Sequence, residues 1–427
     1  KENNITESQV KTIQYYADQG DAESQYYMGY LYSNGELIEK NMDKATYYFK
    51  LAADNGNVPA MAQYALSLEK GIGCEQNNDL AEKYYQLAVD HNNYSALNNY
   101  GVFLCDIKKN YAQAAYYFQK ASALDIEEAY YNYGTMLECG NGVPQNFEEA
   151  AKYYKKSADA NRSTGQFAYG RLLIKGLGVK KDPVEGARYC KLSADQNDPL
   201  GQWYYGKCLL NGIGVEQNRP QAFELFKKSA EQNNMYGLCA YGHCFMQGIE
   251  VAKSIPTAVK YYKKSADLTA ENGCYYYGMC LLNGTGVMKN SMEAAKYFKE
   301  ASRFGSAKSC YMLGLLYERG DGVVRDPRQA VEYFLRATKR GHAGALWKIG
   351  LYSMSGNVLV KDEKNAANAF HDSAIKGHAA GQYEYAKCLE NGIGVDSKDE
   401  TKAASFYQKS ADQQHPGGQC GLGILFL

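Results

Sequence analysis

Three sets of residues in this chain have types and spacings that bear on chemistry. The first is histidine: His91, His243, His342, His371, His378 and His415. A transition-metal site needs several such ligands within coordination distance of one ion. His342, His378 and His415 recur at intervals of 36 and 37 residues, which puts them in successive structural units rather than around one ion. They are expected as surface loop residues, and no metal site is assigned. The second set is the twelve cysteines, irregularly spaced and without a CxxC motif. Cys208, Cys244, Cys280 and Cys388 share one position of the repeat described below. Equivalent positions on packed helices lie roughly 8–10 Å apart, beyond disulfide reach. The thiols are therefore expected to be free and buried in a reducing compartment.

The third set is basic and aromatic. Arg171, Lys207 and His243 follow one another at 36-residue intervals, and Tyr204 and Tyr276 stand three residues before that same repeat position. Guanidinium and ammonium groups form charge-assisted hydrogen bonds, and tyrosine offers rigid contact area. On the exposed side of stacked helices, such a row suits an acidic segment or the C-terminal carboxylate of a partner protein. These five are the candidate partner-binding residues. No Ser/His/Asp or Cys/His set stands out for nucleophilic catalysis. The acidic residues fall at helix starts and on polar faces, where capping and solubility account for them. The Gly-x-Gly elements follow helices rather than strands and lack a P-loop lysine, so they read as turns. No catalytic or cofactor site is assigned, and the chain is read as non-enzymatic.

The elements that must position these residues are periodic. One small residue per unit serves as an anchor: Gly29, Ala65, Gly101, Gly134, Gly170, Gly206, Gly242, Gly278, Gly314, Gly350, Ala386 and Gly423. Their spacing is 36 residues almost throughout, with one interval of 33 and a last one of 37. Such a period predicts a helical repeat array. Each unit reads as two helices. In helix A the residues five and one before the anchor, and three after it, share a face: Gly165, Tyr169 and Leu173, then Gly201, Tyr205 and Leu209. A Gly-x-Gly-Val loop follows, as in Gly212 to Val215. Helix B opens on a cap signal, as at Asn146-x-x-Glu149, Asp182-Pro-x-Glu185 and Asp326-Pro-x-Gln329. It continues through an aromatic pair such as Tyr153-Tyr154 or Tyr261-Tyr262. It ends at a residue suited to a left-handed cap, as at Gly56, Asn161, Gly305, Gly341 and Gly377. Three before the anchor stand Tyr26, Tyr131, Phe167, Trp203, Tyr275, Tyr311, Trp347 and Tyr383, a ladder expected to pack between neighbouring helices rather than to line a groove.

These features jointly resemble the Sel1-like repeat family, relatives of the tetratricopeptide repeat, over nearly the whole chain. The resemblance implies a right-handed superhelix of antiparallel helix pairs and adaptor functions, as in endoplasmic-reticulum degradation complexes and chitin-synthase activation. Some family arrays sit behind kinase domains. A secreted, disulfide-rich bacterial group carries a close cysteine pair in every repeat, and this chain has none. The expected fold is thus all-α, a right-handed α/α solenoid of about eleven 36-residue repeats. Residues 1–20 are expected as helix B of a leading half-repeat, 21–415 as the repeats, and 416–427 as a truncated helix A. The expectation is a fragment of a longer chain. Some units depart from the pattern. The third has Cys105 to Asn110 in place of the glycine loop, and the first, seventh and tenth carry Leu37, Glu250 and Val358 at its second glycine. Altered loops are expected there.

Bulk properties narrow the partners. Lys+Arg and Asp+Glu are both 47, so the chain lacks the net basicity usual in a nucleic-acid binder. No apolar run approaches a membrane span. The function expected is a protein–protein scaffold or adaptor with a concave binding face. The alternatives are a regulatory array of a larger signalling enzyme such as a kinase and, from another class, a ligand-binding or hydrolytic enzyme. The compartment expected is the cytoplasm. Four sequons at Asn4, Asn93, Asn161 and Asn283 provide the argument for the endoplasmic-reticulum lumen instead.

Overall fold

A computed structural model describes residues 7–35 and 37–425, and every regular element among them is helical. There are 24 such helices. The helix of the expected leading half-repeat spans Glu7–Asp18, and the last helix spans Pro416–Leu425. Residues 1–6 and 426–427 lie outside the described set. The chain divides into two compact units, residues 1–217 and 218–427. Each unit is a series of helix pairs, so the architecture is an all-α solenoid of helical repeats.

Local chemistry sets the helix boundaries. The side chains of Asn146, Asp182 and Asp326 accept hydrogen bonds from the backbone N–H of Glu149, Glu185 and Gln329 at 3.0, 3.0 and 3.1 Å. Each thereby satisfies an N–H that has no partner inside the helix. Helix A ends on a left-handed glycine, such as Gly212 (φ 66°) after Pro199–Asn211. The second loop glycine is more demanding. Gly142 is left-handed (φ 71°), and a Cβ there would collide with the backbone carbonyl of Tyr111, in the preceding helix B.

Most anchor glycines have a common physical cause, Gly170, which faces Gly186 and Cys190, being an exception. A Cβ on Gly101, Gly278 or Gly350 would lie 2.6, 2.8 or 2.5 Å from the ring of Phe118, Phe298 or Phe370, respectively. The missing side chain lets a buried helix-B ring lie flat against helix A of its own repeat. Two further aromatic contacts complete most pairs. The residue before the anchor meets a helix-B aromatic edge-on, as in Tyr64–Tyr84, Tyr133–Tyr153 and Tyr277–Tyr297, at 4.8–4.9 Å between centroids. The ladder residue packs on the anchor-facing ring, as in Tyr26–Phe49, Tyr131–Tyr154 and Tyr311–Phe334, at 5.8–6.0 Å. The ladder is thus part of the packing, as expected. Between repeats, the small residue five before the anchor meets a buried helix-B serine: Cβ atoms on Gly165 and Gly273 would overlap Ser157 and Ser265.

The irregular repeats are more regular in backbone than their residues suggest. Leu37 and Glu250 keep the left-handed conformation of the glycine they replace, with φ of 64° and 54°. The loops at these two positions therefore retain the turn, contrary to the expectation of alteration. In the third repeat Lys109 takes the left-handed conformation (φ 55°), and Asn110 still caps its helix. Lys108 joins this shorter loop to Asp79 and Glu82 at 2.9 and 2.7 Å.

Candidate partner-binding site

The five candidate residues fall into two groups, one in each unit. In the first unit, Arg171 belongs to Ser163–Lys175, and Tyr204 and Lys207 belong to Pro199–Asn211; both are helix A elements. Lys207 is exposed, its ammonium 5.5 Å from the centroid of the Tyr204 ring. Tyr204 is buried, edge-on to Phe167 at 5.8 Å and beside Trp203 at 5.4 Å. The helical wheel places Tyr204 on the exposed side. The ring instead folds down over its neighbours, because a helix-A side chain leans back over the preceding turn. Burial, together with the nearby Cys190 and Cys208 thiols, pushes its hydroxyl up to about 12.

Arg171 is half-buried and paired. Its guanidinium donates to Glu138 Oε2 at 2.5 Å, and the Tyr154 hydroxyl donates to the same oxygen at 2.8 Å. Burial opposes charge on both partners, but the shared hydrogen bond and attraction outweigh it. The Glu138 carboxyl lies below its ordinary range and the Arg171 guanidinium above its own. One turn later stands Lys175, which the sequence reading passed over. Burial, then the positive charges of Arg171 and Lys207, lower its pKa. Three cations therefore share one neighbourhood with a single carboxylate already engaged. The spacing Arg171-x-x-x-Lys175 was the available signal.

In the second unit, His243 Nδ1 lies 3.3 Å from the Tyr262 hydroxyl, and the His243 ring lies 5.9 Å from that of Tyr276. Tyr276 is half-buried and stacks on Tyr262 at 5.2 Å. Burial lowers the His243 pKa, so the imidazole is neutral at pH 7. Of the three bases expected to form a row, two are thus cations and the third is a neutral ring.

The histidines of the last repeats also differ from expectation. His342, His378 and His415 are helix N-caps rather than free loop residues. Their Nδ1 atoms accept from the N–H of Ala345, Gly381 and Gly418 at 3.2–3.3 Å. Their rings lie on Tyr311, Trp347 and Tyr383 of the previous repeat, 4.4–5.4 Å between centroids. Among the described residues no cluster of three or more His, Cys, Asp or Glu could hold a metal ion, and no helix is long and apolar enough to cross a membrane. The twelve cysteines are unpaired, and eight are buried.

Comparison with known proteins decides the family. The Sel1 repeat matches ten segments: 22–57, 59–93, 91–126, 127–161, 163–198, 199–234, 235–269, 272–305, 307–342 and 379–415. The chain belongs to the Sel1 repeat family. The one complete repeat left unmatched, 343–378, has Val358 in its loop and Ile349 and Ala369 where most repeats carry an aromatic pair. Among solved structures, the chain is similar to c5321, a protective antigen of uropathogenic Escherichia coli with an SLR fold. That likeness is 27% identity over 97% of this chain and 90% of that one, with a TM-score of 0.55. A Sel1 repeat protein from Oxalobacter formigenes is 23% identical over 72% of this chain and 89% of that one, with a TM-score of 0.48. None of the curated proteins matches significantly. Sel1 repeat proteins are generally protein-interaction scaffolds.

Proposed function

We propose that this Sel1 repeat chain is a non-enzymatic scaffold or adaptor whose helix-A face is concave and holds acidic or C-terminal segments of partner proteins. The observation that carries this reading is the excess of cations at Arg171, Lys175 and Lys207 over the one carboxylate, Glu138, beside them. Like charges held together are relieved by an incoming anion, and a partner carboxylate accepts charge-assisted hydrogen bonds from them. Phe167, Trp203 and Tyr204 supply the rigid aromatic surroundings common at interaction hot spots. His243 and Tyr276 form a separate, uncharged contact of the same scaffold. A reducing, cytoplasmic setting fits twelve unpaired thiols. Asn93, one of the sequons, already uses its side chain to cap a helix and to donate to the Val58 carbonyl at 3.2 Å.

The test is a pull-down of partners from the native cell at low salt. Arg171→Ala with Lys207→Ala is expected to abolish recovery. Because Arg171→Ala also strands Glu138, a second pair, Lys175→Ala with Lys207→Ala, leaves that ion pair intact and is expected to lose most recovery. Unchanged recovery by both pairs, with folding intact by circular dichroism, refutes the site.

A further inference from the structure

The repeat position occupied by Arg171 and Lys207 in the first unit carries His243, Met279 and Leu315 in the second. Over these three repeats the position carries no lysine or arginine, before Lys387 restores one in the eleventh. Three successive A helices, Met235–Gln247, Glu271–Asn283 and Ala307–Arg319, line two adjoining open cavities. The first, about 180 Å³, lies between His243 and Met246 on one side and Tyr276 and Met279 on the other, over Tyr262. The second, about 290 Å³, lies between Met279 and Leu282 on one side and Met312 and Leu315 on the other. Met279 and Asn283 line both, so one helix is their common wall. A cavity of about 150 Å³ already holds a benzene-sized group, so each of these accepts one large apolar side chain. Thioethers repack around varied shapes at low cost.

The first cavity exists for a local reason. In other repeats a tyrosine of helix B donates to a glutamate four residues after the anchor: Tyr85 to Glu69, Tyr154 to Glu138 and Tyr407 to Glu390, at 2.7–2.8 Å. Here Met246 replaces the glutamate. The Tyr262 hydroxyl lies by His243 instead, and the site loses its charge. At the far end the rim carries Lys289, Arg319 and Asp321, a net positive set. The next carboxylate along, Glu318, is occupied by Lys348 at 2.7 Å and by the Tyr352 hydroxyl at 2.9 Å.

We infer that this trough is a peptide-docking site. Its occupant is a segment of a partner protein in the polyproline II conformation, with two apolar side chains three residues apart on one face and an acidic residue at the Arg319 end. The spacing follows from the scaffold: packed helix axes lie roughly 8–10 Å apart, and a polyproline II chain, with three residues per turn at about 3.1 Å rise, sets side chains three residues apart on one face about 9 Å from each other. This inference rests on the scaffold reading but uses other residues, so the two fail separately.

The test uses the full chain and a fluorescein-labelled hexapeptide with leucines at its first and fourth positions followed by two aspartates. Fluorescence anisotropy reads affinity, and methyl-labelled methionine spectra report the site. Binding is expected to shift Met246, Met279 and Met312. It is expected to weaken about tenfold or more when either leucine becomes serine or Met279→Lys fills the common wall. Arg319 is exposed, so Arg319→Glu leaves the fold intact; it is expected to weaken the aspartate peptide and to favour a version with lysines in their place. The Lys175→Ala, Lys207→Ala pair is expected to bind the hexapeptide as wild type does. The inference is overturned by no binding, by equal binding of the serine peptides or of peptides with leucines two or four residues apart, or by indifference to Arg319→Glu.

Discussion

Gly350 offers a direct test of why the repeat needs a small anchor. A Cβ there would lie 2.5 and 2.6 Å from two ring carbons of Phe370 and 3.0 Å from a third. Carbon atoms in contact prefer about 3.5–4.0 Å, so the ring must move by roughly 1 Å. Phe370 is only 1% exposed, so it can move only into packed core. Overpacking of this kind costs about 1–3 kcal/mol. Gly350→Ala recovers up to about 1 kcal/mol of helix propensity and should lose about 0–2 kcal/mol net. Gly350→Val adds two more methyls on a β-branched carbon and should lose about 3 kcal/mol. Natural alanines at two anchors, Ala65 and Ala386, agree with the milder result for alanine. The assay is urea denaturation followed by circular dichroism, with hydrogen exchange over Ala343–Ile375. Exchange should accelerate there first, because each repeat leans on its neighbours alone. A Gly350→Val midpoint equal to wild type, or unchanged exchange in that pair, would show that the anchor faces no packed ring and would sink the account.

The other predictions concern the caps, the loops and the thiols. Burial chiefly lowers the pKa values of His342 and His378 from 6.5. Their caps therefore stabilise fully above that unfolded-state value and are lost as pH falls through the lower native one. Unfolding free energy from urea titrations should fall as pH drops below 6.5, by about 1 kcal/mol per cap. His378→Asn, a cap that does not titrate, should remove part of the drop, and an undiminished drop counts against the mechanism. Glu250 holds a left-handed φ of 54°, so Glu250→Gly should raise stability by about 1 kcal/mol, read as a higher urea midpoint. In the native protein, Cys139 and Cys420 are exposed and should alkylate first. Cys208 and Cys239, whose thiols burial pushes up to about 11 and about 12, should label only after denaturation, as followed by mass spectrometry.

Much of this molecule can be read from the residues alone. The 36-residue period, the Asn and Asp caps and the left-handed glycines act within one or two turns of chain, so local rules suffice to place them. The pairing of Glu69 with Tyr85, of Glu138 with Tyr154 and of Glu390 with Tyr407 is only partly legible, because the same two positions carry Glu318 with Phe334 and Met246 with Tyr262. The function of the anchor is not legible in this way. Its smallness makes sense only once a ring seventeen to twenty residues away lies across it. The candidate site divides along the same line. Its residue types and intervals follow from the sequence, but their charge states do not. The Glu138–Arg171 ion pair, the lowered pKa of Lys175, the neutral His243 and the buried Tyr204 all depend on how deeply each side chain is covered by helices distant in sequence. Desolvation and pairing are properties of the packed state, and only the tertiary structure sets them.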